Sequence, residues 1–124
     1  VLDASAVLAV IQAEPGRERL TPELLANAIC SAVNLAEVQA KLVSRGLTSQ
    51  QAWEDATSPL VQIVPFNSEQ ARISGDLVTQ TKPLGLSLGD RACLALGIEL
   101  DAPVYTAEKA WNKLKVGVPI HVIR

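Results

Sequence analysis

Four acidic residues, Asp3, Glu37, Asp90 and Glu108, stand near points where a short apolar run gives way to a helical pattern. Asp3 ends Val1-Leu2-Asp3, and Glu37 closes Asn34-Leu35-Ala36-Glu37 in what reads as the first turn of a helix. Asp90 opens a helix in Ser87-Leu88-Gly89-Asp90, and Glu108 follows Tyr105-Thr106-Ala107. Carboxylates gathered within a few ångströms repel one another and raise each other's pKa. A hard divalent cation with oxygen ligands removes that penalty. Such a cation acidifies a coordinated water and stabilises charge on a phosphodiester under attack. If the chain brings these four acids to one rim, they form a ligand set for metal-assisted hydrolysis.

A plainer reading competes with this one. Asn34-x-x-Glu37 and Ser87-x-x-Asp90 both have the spacing of a capping box, in which side chains satisfy free N–H groups at a helix start. Acids also favour helix N-termini because of the dipole. Capping accounts for each acid singly but does not require all four to share an edge, and it accounts poorly for Asp3 at a strand tip. Spacing alone leaves both readings open. Ser5, Asn34 and Thr106 flank the acids, either to orient water, carboxylate or phosphate, or as ordinary caps and turns. Arg91 and Lys109 directly follow Asp90 and Glu108, as phosphate contacts or as parts of a solvated helix face.

The elements that must position these residues alternate. Strands are expected at Val1 to Asp3, Ala28 to Val33, Val61 to Pro65, Pro103 to Thr106 and Pro119 to Ile123. Helices are expected at Ser5 to Gln12, from Thr21-Pro22, and at Leu35 to Ser44, Ser49 to Thr57, Ser68 to Thr79, Gly89 to Leu100 and Ala107 to Lys115. Strands alternating with helices predict a single α/β domain over residues 1–124. Its architecture is a three-layer α/β/α sandwich with a mainly parallel sheet of about five strands. Ligands of such sheets bind beyond the carboxyl ends of the strands, which is where the acids fall.

Composition narrows the class. The formal net charge of −2 argues against a protein that coats nucleic acid by charge alone. It does not exclude a nuclease, because active-site carboxylates subtract from the total and bound metal restores positive charge locally. Cys30 and Cys93 lie in apolar surroundings without metal-ligand spacing, which predicts two reduced core thiols. The only histidine, His121, alternates against Ile120 and Val122 and reads as structural. Trp111 reads as packing, Trp53 lies on an otherwise polar helix, and four aromatic residues provide no base-stacking platform. No apolar run approaches the ~20 residues of a membrane span. No signal peptide is read at the start, so a soluble cytoplasmic protein is expected, and the lack of Met suggests that Val1 is not the translated start.

Four segments carry a resemblance. Val1-Leu2-Asp3-Ala4-Ser5-Ala6, Asn34-Leu35-Ala36-Glu37-Val38, Leu86-Ser87-Leu88-Gly89-Asp90-Arg91-Ala92-Cys93-Leu94-Ala95 and Tyr105-Thr106-Ala107-Glu108-Lys109-Ala110-Trp111 occur in the order of the PIN-domain motifs. The chain resembles that family along essentially its whole length and is most similar to its VapC-type toxins. The resemblance implies an endoribonuclease that holds Mg²⁺ or Mn²⁺ with Asp3, Glu37 and Asp90 and leaves 5′-phosphate and 3′-hydroxyl ends. It further implies an RNA substrate such as tRNA or rRNA, a homodimer, and a cognate antitoxin. A groove between Ala4 to Ile11 and Leu35 to Val43 would suit that partner's amphipathic helix. Glu108 departs from the family's usual Asp, and its extra methylene moves the carboxylate by roughly 1.5 Å on a fixed backbone. Together with the low basic content, that departure motivates an alternative: a PIN-like module that has lost catalysis and only binds. A phosphoacceptor receiver domain is disfavoured, since Asp3 is followed by Ala4 and Ser5 rather than a second acid.

Overall fold

Apolar runs separated by helices cannot pair as local hairpins, so each must find a partner far away in the chain. In the computed structural model, which describes residues 1–124, four of them form strands. β1 (Ile29–Ser31) pairs in parallel with β2 (Gln62–Val64), and β3 (Val104–Thr106) pairs in parallel with β4 (Ile120–Val122). Residues 1–3 join the two pairs. The Leu2 N–H donates to the Ile29 carbonyl at 2.9 Å, and the Tyr105 N–H donates to the Val1 carbonyl at 2.8 Å. Leu2 also forms a parallel bridge with Tyr105. The expected fifth strand is therefore reduced to a bridge, because Asp3 already caps a helix that starts at Ala4.

The helices are α1 (Ala4–Ile11), α2 (Pro22–Leu25), α3 (Ala32–Ser44), α4 (Ser49–Thr57), α5 (Ser68–Asp76), α6 (Val78–Thr81) and α7 (Leu88–Leu100). α4 keeps its expected bounds, fixed by a full capping box between Thr48 and Gln51. α3 starts three residues before the expected Leu35, because Ser31 caps it by accepting from the Val33 N–H at 3.2 Å. The expected Ser68–Thr79 helix is interrupted at Leu77. The helix expected over residues 107–115 is instead a 3-10 turn at Lys109–Lys113 that docks the buried Trp111.

Alternation along the strands feeds two cores. Leu2, Cys30, Ile63 and Tyr105 face α1, α3 and α4, while Val1, Ile29, Val64 and Val104 face α7 and Trp111. That two-sided burial is the three-layer α/β sandwich, and it explains why α7 is buried from Ala92 through Gly97. Cys30 and Cys93 are buried free thiols, as expected. His121 is exposed, with its ring stacked on Tyr105 at 4.7 Å. No helix is long and apolar enough to cross a membrane.

Candidate active site

Asp3 lies at the carboxyl end of the central segment and is 2% exposed. Its Oδ1 accepts from the Ala6 N–H at 2.8 Å and from the Ser5 hydroxyl at 2.7 Å. Its Oδ2 accepts from the Thr106 hydroxyl at 2.6 Å. Ser5 Oγ also accepts from the Ala107 N–H at 2.8 Å, so these bonds fasten the end of β3 to the start of α1. The expectation that capping explains Asp3 poorly is corrected: Asp3 is the N-cap of α1. Capping does not require such depth, however. Burial pushes the Asp3 carboxyl up to about 6 against the pull of its three hydrogen bonds, and the Asp90 charge adds to the rise.

Glu37 sits in the second turn of α3, not the first, so Asn34 and Glu37 form no capping box. Its carboxylate packs against Gly89, where an added Cβ would lie 1.6 Å from Oε1. Partial burial raises the Glu37 carboxyl, the Asp90 charge raises it further, and Lys41 opposes both. Asp90 does cap α7: Oδ2 accepts from the Ser87 N–H at 2.9 Å, and the Asp90 N–H donates to Ser87 Oγ at 3.2 Å. Asn34 ties α3 to α7 by donating from Nδ2 to the Gly89 carbonyl at 2.9 Å. Its Oδ1 is buried without a partner. Beneath the acids, burial lifts the Cys30 thiol to about 12, with the Asp3 and Glu37 charges contributing.

Three of the four expected acids are thus electrostatic neighbours, with Asp90 acting on both Asp3 and Glu37. Glu108 is not among the charges that act on Asp3 or Glu37. Its N–H donates to Thr106 Oγ1 at 3.0 Å, but the residue lines a polar notch shared with Lys41, Arg45 and Arg124. No three Asp, Glu, His or Cys side chains converge closely enough to grip one ion, so the expected four-acid ligand set is not closed. The donors nevertheless fit a hard cation. They are all oxygens, two of the carboxyls are strained by burial, one buried amide oxygen is unpartnered, and Gly89 leaves room for Glu37.

Arg91 corrects a second expectation. Its Nη1 donates to the Ser74 carbonyl at 3.4 Å on α5 rather than facing the acids. Successive helix residues project about 100° apart, so adjacency to Asp90 carries no shared direction. Gly89 was the missed residue. Its one signal is a glycine inside a helix start, a poor helix former retained beside an acid. The groove between α1 and α3 is polar, with Leu8 the only hydrophobic residue in its wall. The apolar groove lies on the other side of α3, against Trp53 and Ile63. There the stripe of α3 residues is completed by Trp53 of α4, which is 47% exposed.

Comparison with known proteins agrees with this fold. No curated protein matches the chain significantly. The fold is similar to a chain in the VapBC2 structure of Rickettsia felis bound to a promoter DNA fragment, with a TM-score of 0.74 and 22% identity over 96% of this chain and 94% of that one. It is also similar to a chain of DNA-bound VapBC from Salmonella typhimurium, with a TM-score of 0.75 and 17% identity over 99% and 96%. A chain of VapBC-1 from nontypeable Haemophilus influenzae gives 0.70 and 17% over 98% and 95%. The PIN domain family model matches residues 1–117, and the chain belongs to the PIN-domain family.

Proposed function

We propose that this chain is a metal-dependent endoribonuclease, the toxin of a VapBC-type pair, acting in the cytoplasm as a homodimer restrained by a cognate antitoxin. The observation that carries the reading is the grouping of Asp3, Glu37 and Asp90 at the rim, with Asp3 buried and its carboxyl raised to about 6. An uncompensated carboxylate in that position costs stability, and its neighbours make the cost greater. The fold likeness to chains of VapBC complexes supports the toxin and antitoxin assignment.

Asp3, Glu37 and Asp90 would hold Mg²⁺ or Mn²⁺, with the unpartnered Asn34 Oδ1 as a further oxygen. When bound, the cation supplies an acidified water and charge neutralisation at a phosphodiester. The remaining work belongs to the chain. Ser5 and Thr106 hold the Asp3 carboxylate in one orientation through hydroxyl donors at 2.7 and 2.6 Å. Asn34 holds the start of α7, and with it Asp90, against α3. Gly89 leaves the space that Glu37 occupies.

One finding favours a second reading, a PIN-type module that binds without cutting: no three acidic side chains close on one ion. Titration of Mn²⁺ or Mg²⁺ into wild-type and Asp90→Asn protein, followed by incubation with tRNA and rRNA, separates the two. The asparagine keeps an acceptor for the Ser87 N–H, so a lost activity is not a lost cap. Cleavage that requires metal and vanishes in the variant supports the nuclease. Saturable RNA or protein binding with no metal uptake by the wild type establishes the binding module.

A further inference from the structure

Two openings on the surface meet at Arg124. One, of about 600 Å³, has Arg19, Lys109 and Arg124 in its wall. The other, of about 140 Å³, has Lys41, Arg45 and Arg124 and reaches Ser5. The Ser5 hydroxyl in turn donates to Asp3 at 2.7 Å. Five of the eleven Lys and Arg residues in a chain of net charge −2 therefore border two openings that share Arg124, the smaller of which reaches the Ser5 hydroxyl bonded to Asp3. Clustering of this kind, against the overall sign, marks where a polyanion is drawn.

Most of that charge is not neutralised. Arg124 pairs with Glu14 at 2.9 Å, and the other ion pairs of the molecule belong to Arg72. Arg19, Lys41, Arg45 and Lys109 have no carboxylate partner, although Glu18 and Glu108 border the same openings. The guanidinium groups are also held in place. Arg19 donates from Nη1 to the Val122 carbonyl at 3.3 Å, and Arg124 donates from Nε to the Pro15 carbonyl at 3.2 Å. Gly16, at φ 97°, lies so close to Ile123 that an added Cβ would stand 2.3 Å from its carbonyl oxygen. These contacts clamp the loop to the last strand and leave most of the five donors of each guanidinium available. No aromatic side chain lines either opening. A strand lying here is held by its phosphates, not by its bases.

We propose that the two openings form one track for the sugar–phosphate backbone of single-stranded RNA, running from Arg19 and Lys109 past Arg124 to Lys41 and Arg45 and delivering a phosphodiester to Asp3. This rests on the nuclease reading above and names the surface that would feed its site. The acidic residues along the track keep its attraction moderate, which suits a substrate that must also leave.

The test is fluorescence anisotropy of a labelled mixed-sequence RNA oligonucleotide in chelator, so that nothing is cut, across a salt series. Lys41→Gln with Arg45→Gln, and separately Arg19→Gln with Lys109→Gln, should each weaken binding by about tenfold at low salt. Each pair should also flatten the logarithmic salt slope by about 1.4, since a single-strand phosphate contact contributes about 0.7. Lys82→Gln with Lys115→Gln removes equal charge elsewhere and should change neither quantity. Equal losses in all three pairs, or no RNA binding by the wild type, overturn the track. Binding of polyglutamate in place of RNA, with the same losses, overturns it in favour of an acidic peptide. Cleavage measured in parallel with Mn²⁺ keeps the two ideas apart. Track variants that bind weakly while the wild type does not cut leave the track standing without the nuclease. Variants that bind and cut like wild type, beside an inert Asp3→Asn, leave the nuclease standing without the track.

Discussion

Asp3→Asn should make the metal-free protein more stable, although it removes a residue placed at the centre of the site. The Asp3 carboxyl is raised by burial from the usual 3.8 to about 6. That difference corresponds to roughly 3 kcal/mol against the ionised folded state at neutral pH. Because the folded value lies above the unfolded one, the stabilising contribution is complete below about pH 4 and is lost as pH rises through about 6. Asparagine carries no such penalty. It remains a good N-cap, its Oδ1 can still accept from Ala6 and Ser5, and its amide can donate to the Thr106 hydroxyl. Urea unfolding in chelator at pH 7.5 should therefore show the variant stabilised by up to about 3 kcal/mol, equivalent to a Tm rise on the order of 10 °C. Near pH 4 the two proteins should coincide. Adding Mn²⁺ should raise the Tm of the wild type and leave the variant unmoved. A variant less stable than wild type at pH 7.5, or a gap that does not close on acidification, would refute the argument that buried charge dominates this position.

Mn²⁺ affinity of the wild type should fall as pH drops through about 6, where the metal-free Asp3 carboxyl takes up a proton, and an affinity–pH profile flat between 5 and 7 would contradict this. Gly89→Ala should lower metal affinity and cost stability, despite replacing a glycine worth about 1 kcal/mol less than alanine in a helix, because the new Cβ displaces Glu37. Adding Glu37→Ala to that variant should restore the stability but not the metal binding, as read by urea unfolding and calorimetry. Thr106→Val removes the 2.6 Å donor from a buried carboxylate, so the acid limb of the profile should move to higher pH and unfolding should cost about 1–3 kcal/mol less. Glu108→Gln should reduce cleavage far less than Asp90→Asn, because Asp90 acts on both Asp3 and Glu37 and Glu108 on neither; equal losses measured on one RNA would give Glu108 an equal part in the site.

What was legible in the sequence is what local chemistry decides. Thr48 and Gln51 close a capping box, and α4 falls where its pattern places it. Ser87 and Asp90 do the same for α7. Where a residue's role depends on a neighbour distant in sequence, spacing misleads. Asn34 and Glu37 have the separation of a capping box, yet Ser31 begins the helix earlier and turns both inward, one onto the Gly89 carbonyl and the other against the Gly89 backbone. Arg91 follows a site acid but turns to Ser74, because one residue along a helix is a large rotation. Glu108 begins no regular helix of its own: a tight 3-10 turn that buries Trp111 follows it, and it borders the notch beside Ser5. Gly89 has no side chain to announce it, and only the packing of α3 against α7 reveals what it leaves room for.

The central place of residues 1–3 in the sheet has a consequence in time. Asp3 is among the first residues of the domain to leave a ribosome, whereas its Thr106 donor follows 103 residues later. At about 5–20 residues per second, the site acid waits roughly 5 to 20 seconds before the strand that completes its surroundings exists. Until then residues 1–3 lack one flank, Tyr105 cannot bond to Val1, and the two halves of the sheet have nothing to join. A growing chain of this design has no finished acidic rim until synthesis is nearly complete.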